Sequence, residues 1–254
     1  MSNYHFITTM SRDYYDIIGH KMIETFNKFL PSKLDVYSED KLPYSTIDLN
    51  NERLTTYLSD LGETRARAFA YKAYALIDAY KKEQKKYLVF LDADMVCFKD
   101  LDENFLDSLI GDNLIVYIGV THKKYGSHCD SCFFILNTQH KFYQTFTRLY
   151  EEIYETRQIL DKNKFVKPND SYVLAECIKI AEQQGHKCID LHPERTGLSP
   201  VAETVLGTHI RHFKAGRKIN EEVLKHIDKA IGGMQKKKDH ARVLEIFDRR
   251  VRVK

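Results

Sequence analysis

Three apolar runs in the first hundred residues, YHFITTM (4–10), KLDVYSE (33–39) and YLVFLDAD (87–94), alternate with two helix-like stretches, which restricts the folds open to the chain. Residues 13–30 place Ile17, Ile18, Met22, Phe26 and Phe29/Leu30 on one helical face before Pro31 stops them. ETRARAFAYKAYALIDAYKK (63–82) is rich in Ala with few breakers, which predicts a second helix. Strand and helix in this order imply a parallel sheet joined by right-handed crossovers. Parallel strands are covered on both faces, which explains why YLVFL shows no polar alternation.

Further along, NLIVYIGV (113–120) and SCFFILNT (131–138) read as strands around a turn-like THKKYGSHCD. A helix is expected over 139–160. A second follows in PNDSYVLAECIKIAEQQG, with Asn169 or Asp170 near its start and Gly185 as its stop. HKCIDLHP and GTHIRHFKAGRK supply short strands, and two basic helical stretches finish the chain. The 254 residues contain no repeat and no Pro/Gly-rich linker. The expectation is one mixed α/β domain over 1–218 and a helical basic extension over 219–254 packed on it.

Charge is unevenly spread. Residues 214–254 hold 13 Lys/Arg against 6 Asp/Glu, a net +7, so a chain of +3 leaves −4 for the rest. Such a tail suits a polyanion or a solvated face. No apolar run is long enough to span a membrane, and the N-terminus lacks the pattern of a signal peptide. Five cysteines, an odd number, fit a reducing compartment, so a cytoplasmic protein of a bacterium or a virus-infected cell is expected.

The third apolar run stops at Asp92 and Asp94. In an open parallel sheet ligands bind at the carboxyl ends of the strands. Two carboxylates of one strand parity point the same way if the strand continues, and they repel unless a cation joins them. Lys85, Lys86 or Lys99 could supply that cation; a hard divalent ion bridging phosphate oxygens is the alternative with a function.

YLVFLDADMV resembles the D-x-D segment of nucleotide-sugar glycosyltransferases of the GT-A fold. The resemblance implies a Rossmann-like, mainly parallel sheet flanked by helices, and a nucleotide-sugar donor, UDP-linked, held through Mn²⁺ or Mg²⁺. It makes Asp94 the direct metal ligand and Asp92 its companion on the metal or ribose. HFKAGRK (212–218) is similar to the family's H-x-x-G-x-x-K-P-W element. It implies His212 as the third ligand and Lys218 on the diphosphate, although Gly216 falls one place late and no Pro-Trp follows. That departure keeps His209 as the alternative ligand. On the helix before the D-x-D, Lys72 and Arg65 are implied to reach the donor's phosphates or sugar. Thr8 and Thr9 in TTMS, and Glu39 in YSED, fall where the family grips the nucleoside.

HCDSCFFILNT and PNDSYVL resemble the family's acceptor side and single out Asp170 and, second, Asp130. If the reaction inverts the sugar, one of them acts as general base; Asp170 has an equally good reading as a helix cap. Transfer of a hexose to a hydroxyl follows, with a hydroxymethylated base in DNA as one acceptor that the basic tail suggests.

Two other readings compete. DADMV also satisfies the first motif of haloacid-dehalogenase-like phosphohydrolases, with Asp92 as nucleophile, although that motif normally opens its chain. A nucleic-acid-binding module using the tail would leave the D-x-D unexplained. Cys129-x-x-Cys132 beside His128 lacks a second ligand pair for structural zinc and reads as packing thiols.

Overall fold

The computed structural model describes residues 2–61, 65–82, 85–122, 126–193 and 200–213. Lys218, the 219–254 extension and its expected helices lie outside these residues.

Strand β1 (Tyr4–Thr9) leads into α1 (Arg12–Tyr14), a π turn over Tyr15–Gly19, and α2 (His20–Phe29). The break at the π turn overturns the expectation of one continuous helix, and it leaves Ile17 41% exposed instead of on the buried face. Gly19 sits close to its neighbours there: a Cβ would come within 2.8 Å of the flexible Met10 sulfur and 3.2 Å of the Tyr14 carbonyl oxygen.

Next come β2 (Leu34–Ser38), β3 (Thr46–Asp48) and α3 (Glu52–Leu61), the last two not expected from the sequence. Asn51 caps α3 by accepting from the Leu54 backbone N–H at 2.9 Å, and Leu54, Tyr57, Leu58 and Leu61 form its buried face. Helix α4 (Arg65–Lys82) precedes β4 (Tyr87–Leu91), all five of whose residues are buried.

The rest comprises β5 (Met95–Cys97), α5 (Glu103–Ile110), β6 (Ile115–His122), β7 (Gly126–Asn137), α6 (Tyr143–Glu155), α7 (Asp170–Gln183), β8 (Cys188–Asp190) and β9 (Ile210–His212). Two 3-10 turns, Pro200–Glu203 and Val205–Thr208, lead into β9. The turn expected over 121–130 is a long hairpin, because β6 runs on to His122 and β7 starts at Gly126.

Seven strands form one sheet in the order β3-β2-β1-β4-β7-β6-β8. Only β7 runs against its neighbours; the β1–β2, β1–β4, β2–β3 and β6–β8 pairs are parallel. Helices α3, α4, α6 and α7 contribute to one apolar core, and α2, α5 and the 3-10 turns to the other. Alanines 66, 70, 73, 75 and 79 of α4 are buried, as a helix lying close on a sheet requires. The chain lays down β1, moves outward to β2 and β3, then returns to β4 on the other side of β1. That reversal is a topological switch point, and ligands bind at the carboxyl ends of strands flanking such a point.

Candidate active site

The strand at the switch point does not run through the D-x-D. Strand β4 ends at Leu91, and Asp92 to Asp94 form a turn in which the Met95 N–H donates to the Asp92 carbonyl at 3.2 Å. Strand parity is therefore not what brings the carboxylates together. The antiparallel ribbon β5–β9 does so: Met95 lies opposite His212, and the Phe213 N–H donates to the Asp94 carbonyl at 2.9 Å. His212 Nε2 thus sits 3.0 Å from Asp94 Oδ1 and 3.8 Å from Asp92 Oδ2. Burial disfavours its charged form, but the hydrogen bond and charge of Asp94, with Asp130 and Asp92 behind it, hold the imidazole pKa above its ordinary value.

His209 is placed elsewhere. Its carbonyl accepts from the Phe98 N–H at 2.9 Å, and its ring stacks on Phe105 with centroids 3.9 Å apart. Three residues of strand, about 10 Å, separate it from position 212.

The cation nearest Asp92 is neither Lys85, Lys86 nor Lys99. Lys72 Nζ donates to Asp92 Oδ1 at 2.8 Å and to the Ser131 carbonyl at 2.8 Å, and it stands 2.8 Å from Asp170 Oδ2. Ser131 Oγ is a further 3.1 Å contact, and the Phe90 ring centroid lies 4.3 Å away. An ammonium has three donors, so this one is fully used. In this arrangement Lys72, expected to reach the donor's phosphates or sugar, ties the D-x-D to α7. Burial lowers its pKa, yet Asp170 and Asp92 outweigh burial and raise it above the ordinary lysine value. Asp92 moves the other way from a simple ion pair. Burial, with Asp94 adding repulsion, overcomes the pull of Lys72 and pushes its pKa up to about 6.

Asn169, not Asp170, caps α7, its side chain accepting from the Tyr172 N–H at 3.2 Å. Asp170 is turned inward and 2% exposed. Asp130 is half-buried on β7, its Oδ1 accepting from the Cys132 N–H at 3.2 Å. The β6–β7 register shifts between Tyr117 and Ile118, whose partners are Phe134 and Asp130, so the strand bulges across 131–133. Four carboxylates, Asp92, Asp94, Asp130 and Asp170, thus surround Lys72 and the His212 imidazole, with negative charge in surplus. Ligand atoms of Asp92, Asp94 and His212 all lie within 4.8 Å of one another. Two hard oxygens and one imidazole with surplus negative charge fit a divalent cation of the Mn²⁺ or Mg²⁺ type.

Tyr14 is the residue that sequence reading missed. It follows β1 at the switch point, is 41% exposed, and has its pKa raised by burial and by the charges of Asp94 and Asp92. A loop-to-loop bond holds its helix, the Arg12 N–H donating to Asp40 at 2.7 Å. Glu39 is half-buried beside Asp40; burial is the larger cause of its raised pKa. Thr9 is half-buried, but Thr8 is 0% exposed and its hydroxyl has no hydrogen-bond partner among the described residues. The Thr8 hydroxyl thus faces the interior. Arg65 opens α4, and its side chain lies outside the described residues; Arg67 donates to the Leu58 carbonyl at 3.1 Å.

On the α7 side, Tyr172 stacks on His128 with centroids 4.6 Å apart, beside a cavity of about 370 Å³ that Phe165 and Val166 also line. A larger cavity of about 620 Å³ between α3, α4 and α6 is lined by Arg53, Lys81, Glu155 and Arg157, away from the aspartates.

No family model and no curated protein matches the sequence. Among solved structures, the apo form of mouse xyloside xylosyltransferase 1 superposes with a TM-score of 0.52 at 12% identity, over 85% of this chain and 99% of that one. A glycosyltransferase involved in glycosylation of the major capsid of PBCV-1 matches with a TM-score of 0.47 at 11% identity, over 88% and 98%. The chain has the GT-A glycosyltransferase fold. In this GT-A frame Asp92 follows the fourth strand of the chain, after β1, β2 and β3, and not the first as a phosphohydrolase nucleophile would. The described residues contain no helix long and apolar enough to cross a membrane.

Proposed function

We propose that the chain transfers a hexose from a UDP-linked sugar to a hydroxyl, with Mn²⁺ or Mg²⁺ held by Asp92, Asp94 and His212. The observation that carries this reading is the meeting of those three side chains at the carboxyl end of β4, beside the switch point. When bound, the ion would offset the charge of the donor's diphosphate and of the departing nucleotide.

The chain's own residues supply the rest. Lys72 fixes Asp92 and Asp170 in one orientation, so the donor-side carboxylate is pre-set before substrate arrives. Tyr14 offers a ring face to the nucleobase, and Glu39 and Thr9 offer polar contacts to nucleobase or ribose. Lys218 and Arg65 add positive charge toward the diphosphate. Asp130 is the better placed carboxylate for the acceptor hydroxyl, because Asp170 is sealed and held by Lys72. In an inverting reaction Asp130 takes the hydroxyl's proton as its oxygen attacks C1. Asp170 then acts as a positioning residue through Lys72.

Asp94→Ala is expected to abolish both hydrolysis of a UDP-sugar and transfer from it, and EDTA to do the same. Undiminished turnover in excess EDTA would overturn the metal-dependent reading. The net +7 of residues 214–254 supports a polyanionic acceptor such as hydroxymethylated DNA. DNA affinity should then fall steeply with salt, and undetectable binding at low salt removes that acceptor.

A further inference from the structure

We propose that Asp130, Cys132 and His212 form a second metal site, selective for thiophilic cations such as Zn²⁺, whose occupation inhibits the enzyme by weakening metal binding at the Asp92/Asp94 site, with which it shares the His212 ring. The inhibition rests on the function proposed above; the site itself does not.

The backbone places Cys132 against the D-x-D, since its carbonyl accepts from the Asp92 N–H at 2.9 Å. Across the β7 bulge Cys132 faces the same surroundings as Asp130, while Cys129 points to α7 and donates from its thiol to the Ser171 carbonyl at 3.1 Å. The C-x-x-C pair is thus split between two environments, and only Cys132 meets an imidazole. One ligand atom from each of Asp130, Cys132 and His212 lies within 4.8 Å of the other two. Ligand atoms about a tetrahedral Zn²⁺ are roughly 3.5 Å apart given its bond lengths, so small side-chain movements close the site. A separate observation marks the imidazole as unfinished: His212 Nδ1 is buried with no hydrogen-bond partner among the described residues, and a buried polar atom of this kind is costly.

The two sites differ in chemistry. Oxygen, oxygen and nitrogen suit Mn²⁺ or Mg²⁺, whereas oxygen, sulfur and nitrogen favour Zn²⁺ or Co²⁺. As the S–Zn bond forms the S–H bond breaks, and the proton passes to solvent. Two dications sharing one ring repel each other, so filling the thiol site weakens the other. This also revises the packing-thiol reading of Cys132.

Titration of the full chain with Co²⁺, followed by absorption, tests the site without turnover. A thiolate-to-cobalt charge-transfer band is expected, removed by Zn²⁺ and absent in Cys132→Ser, with Cys132→Ala as a second variant should the first fold poorly. Both variants are expected to keep Mn²⁺-supported UDP-sugar hydrolysis and to bind Zn²⁺ ~10-fold or more weakly than the natural chain. Absence of the band, or an equal band in the folded variants, overturns the site. A band without any UDP-sugar turnover leaves the site standing and defeats the functional reading instead. Turnover that Zn²⁺ inhibits equally in the natural chain and in Cys132→Ser overturns the proposed inhibition.

Discussion

At position 72 a lysine stands between two carboxylates of different elements, Asp92 after β4 and Asp170 at the start of α7. Removing a buried charge while leaving its partners costs more than the pair contributes, because the survivors stay desolvated. Lys72→Met should therefore destabilise the protein by about 3–5 kcal/mol in urea unfolding. A loss under about 1 kcal/mol would mean that the pair is solvated and not the buried joint described here. Tyr14 makes the opposite prediction. Its ring is partly exposed and packs no core, so Tyr14→Ala should leave the melting temperature unchanged while raising KM for a UDP-sugar. The expected size is about 1–3 kcal/mol, the worth of one stacked base; an unchanged KM would remove Tyr14 from the donor site. The aspartates were legible because an apolar strand that ends in charge is unusual. Tyr14 was not, since SRDYYD reads as an ordinary helix start and nothing local reports how near the chain returns at β4. Which residue caps α7 was equally hidden: Asn169 and Asp170 are both good caps, and only the distant Lys72 decides between them.

The ribbon β5–β9 is the element on which the metal cluster depends, and Gly207 controls its approach. A Cβ there would lie 2.5 Å from the Ala202 carbonyl oxygen and 2.8 Å from its Cα, both backbone atoms that cannot swing aside. The Gly207 carbonyl also accepts from Arg211 at 2.6 Å. Gly207→Ala should cost about 1–3 kcal/mol of stability as an overpacked site and weaken Mn²⁺ binding by shifting His212. Unaltered Mn²⁺ affinity in a destabilised variant would separate the turn from the cluster. On the other face, Arg53 of α3 pairs with Glu151 and Glu155 of α6, and Lys81 of α4 donates to Glu151 at 2.7 Å. Partial burial pushes the Glu151 pKa up, but Lys81 and Arg53 prevail and hold it below its ordinary value. A carboxylate depressed in this way stabilises the fold above its unfolded pKa of about 4.3 and loses that contribution as pH falls through its lower folded value. Glu151→Gln should flatten this acid limb of a melting-temperature profile; an unchanged limb would show that the three helices are not held by these charges. At this scale β1, β2, α4 and β4 could be read from sequence because their apolar patterns are long. The edge strand β3 has three residues, and the π turn depends on how Gly19 meets Met10, so neither leaves a local pattern.

For the molecule as a whole, the strand order and its single reversed strand bring residues from positions 92 to 212 to one end of the sheet. Strand, helix, strand order made the parallel half legible, whereas His212 reaches Asp94 only through the pairing of two three-residue strands, which no short pattern announces. The surplus of negative charge at that end is the feature that calls for a divalent cation. Calorimetric titration of UDP into the full chain, with Mn²⁺ and then with EDTA, measures this directly. UDP should bind in Mn²⁺ and lose that binding both on chelation and in Asp94→Ala. Equal UDP affinity with and without EDTA, in both proteins, would contradict a metal held at the tip of β4.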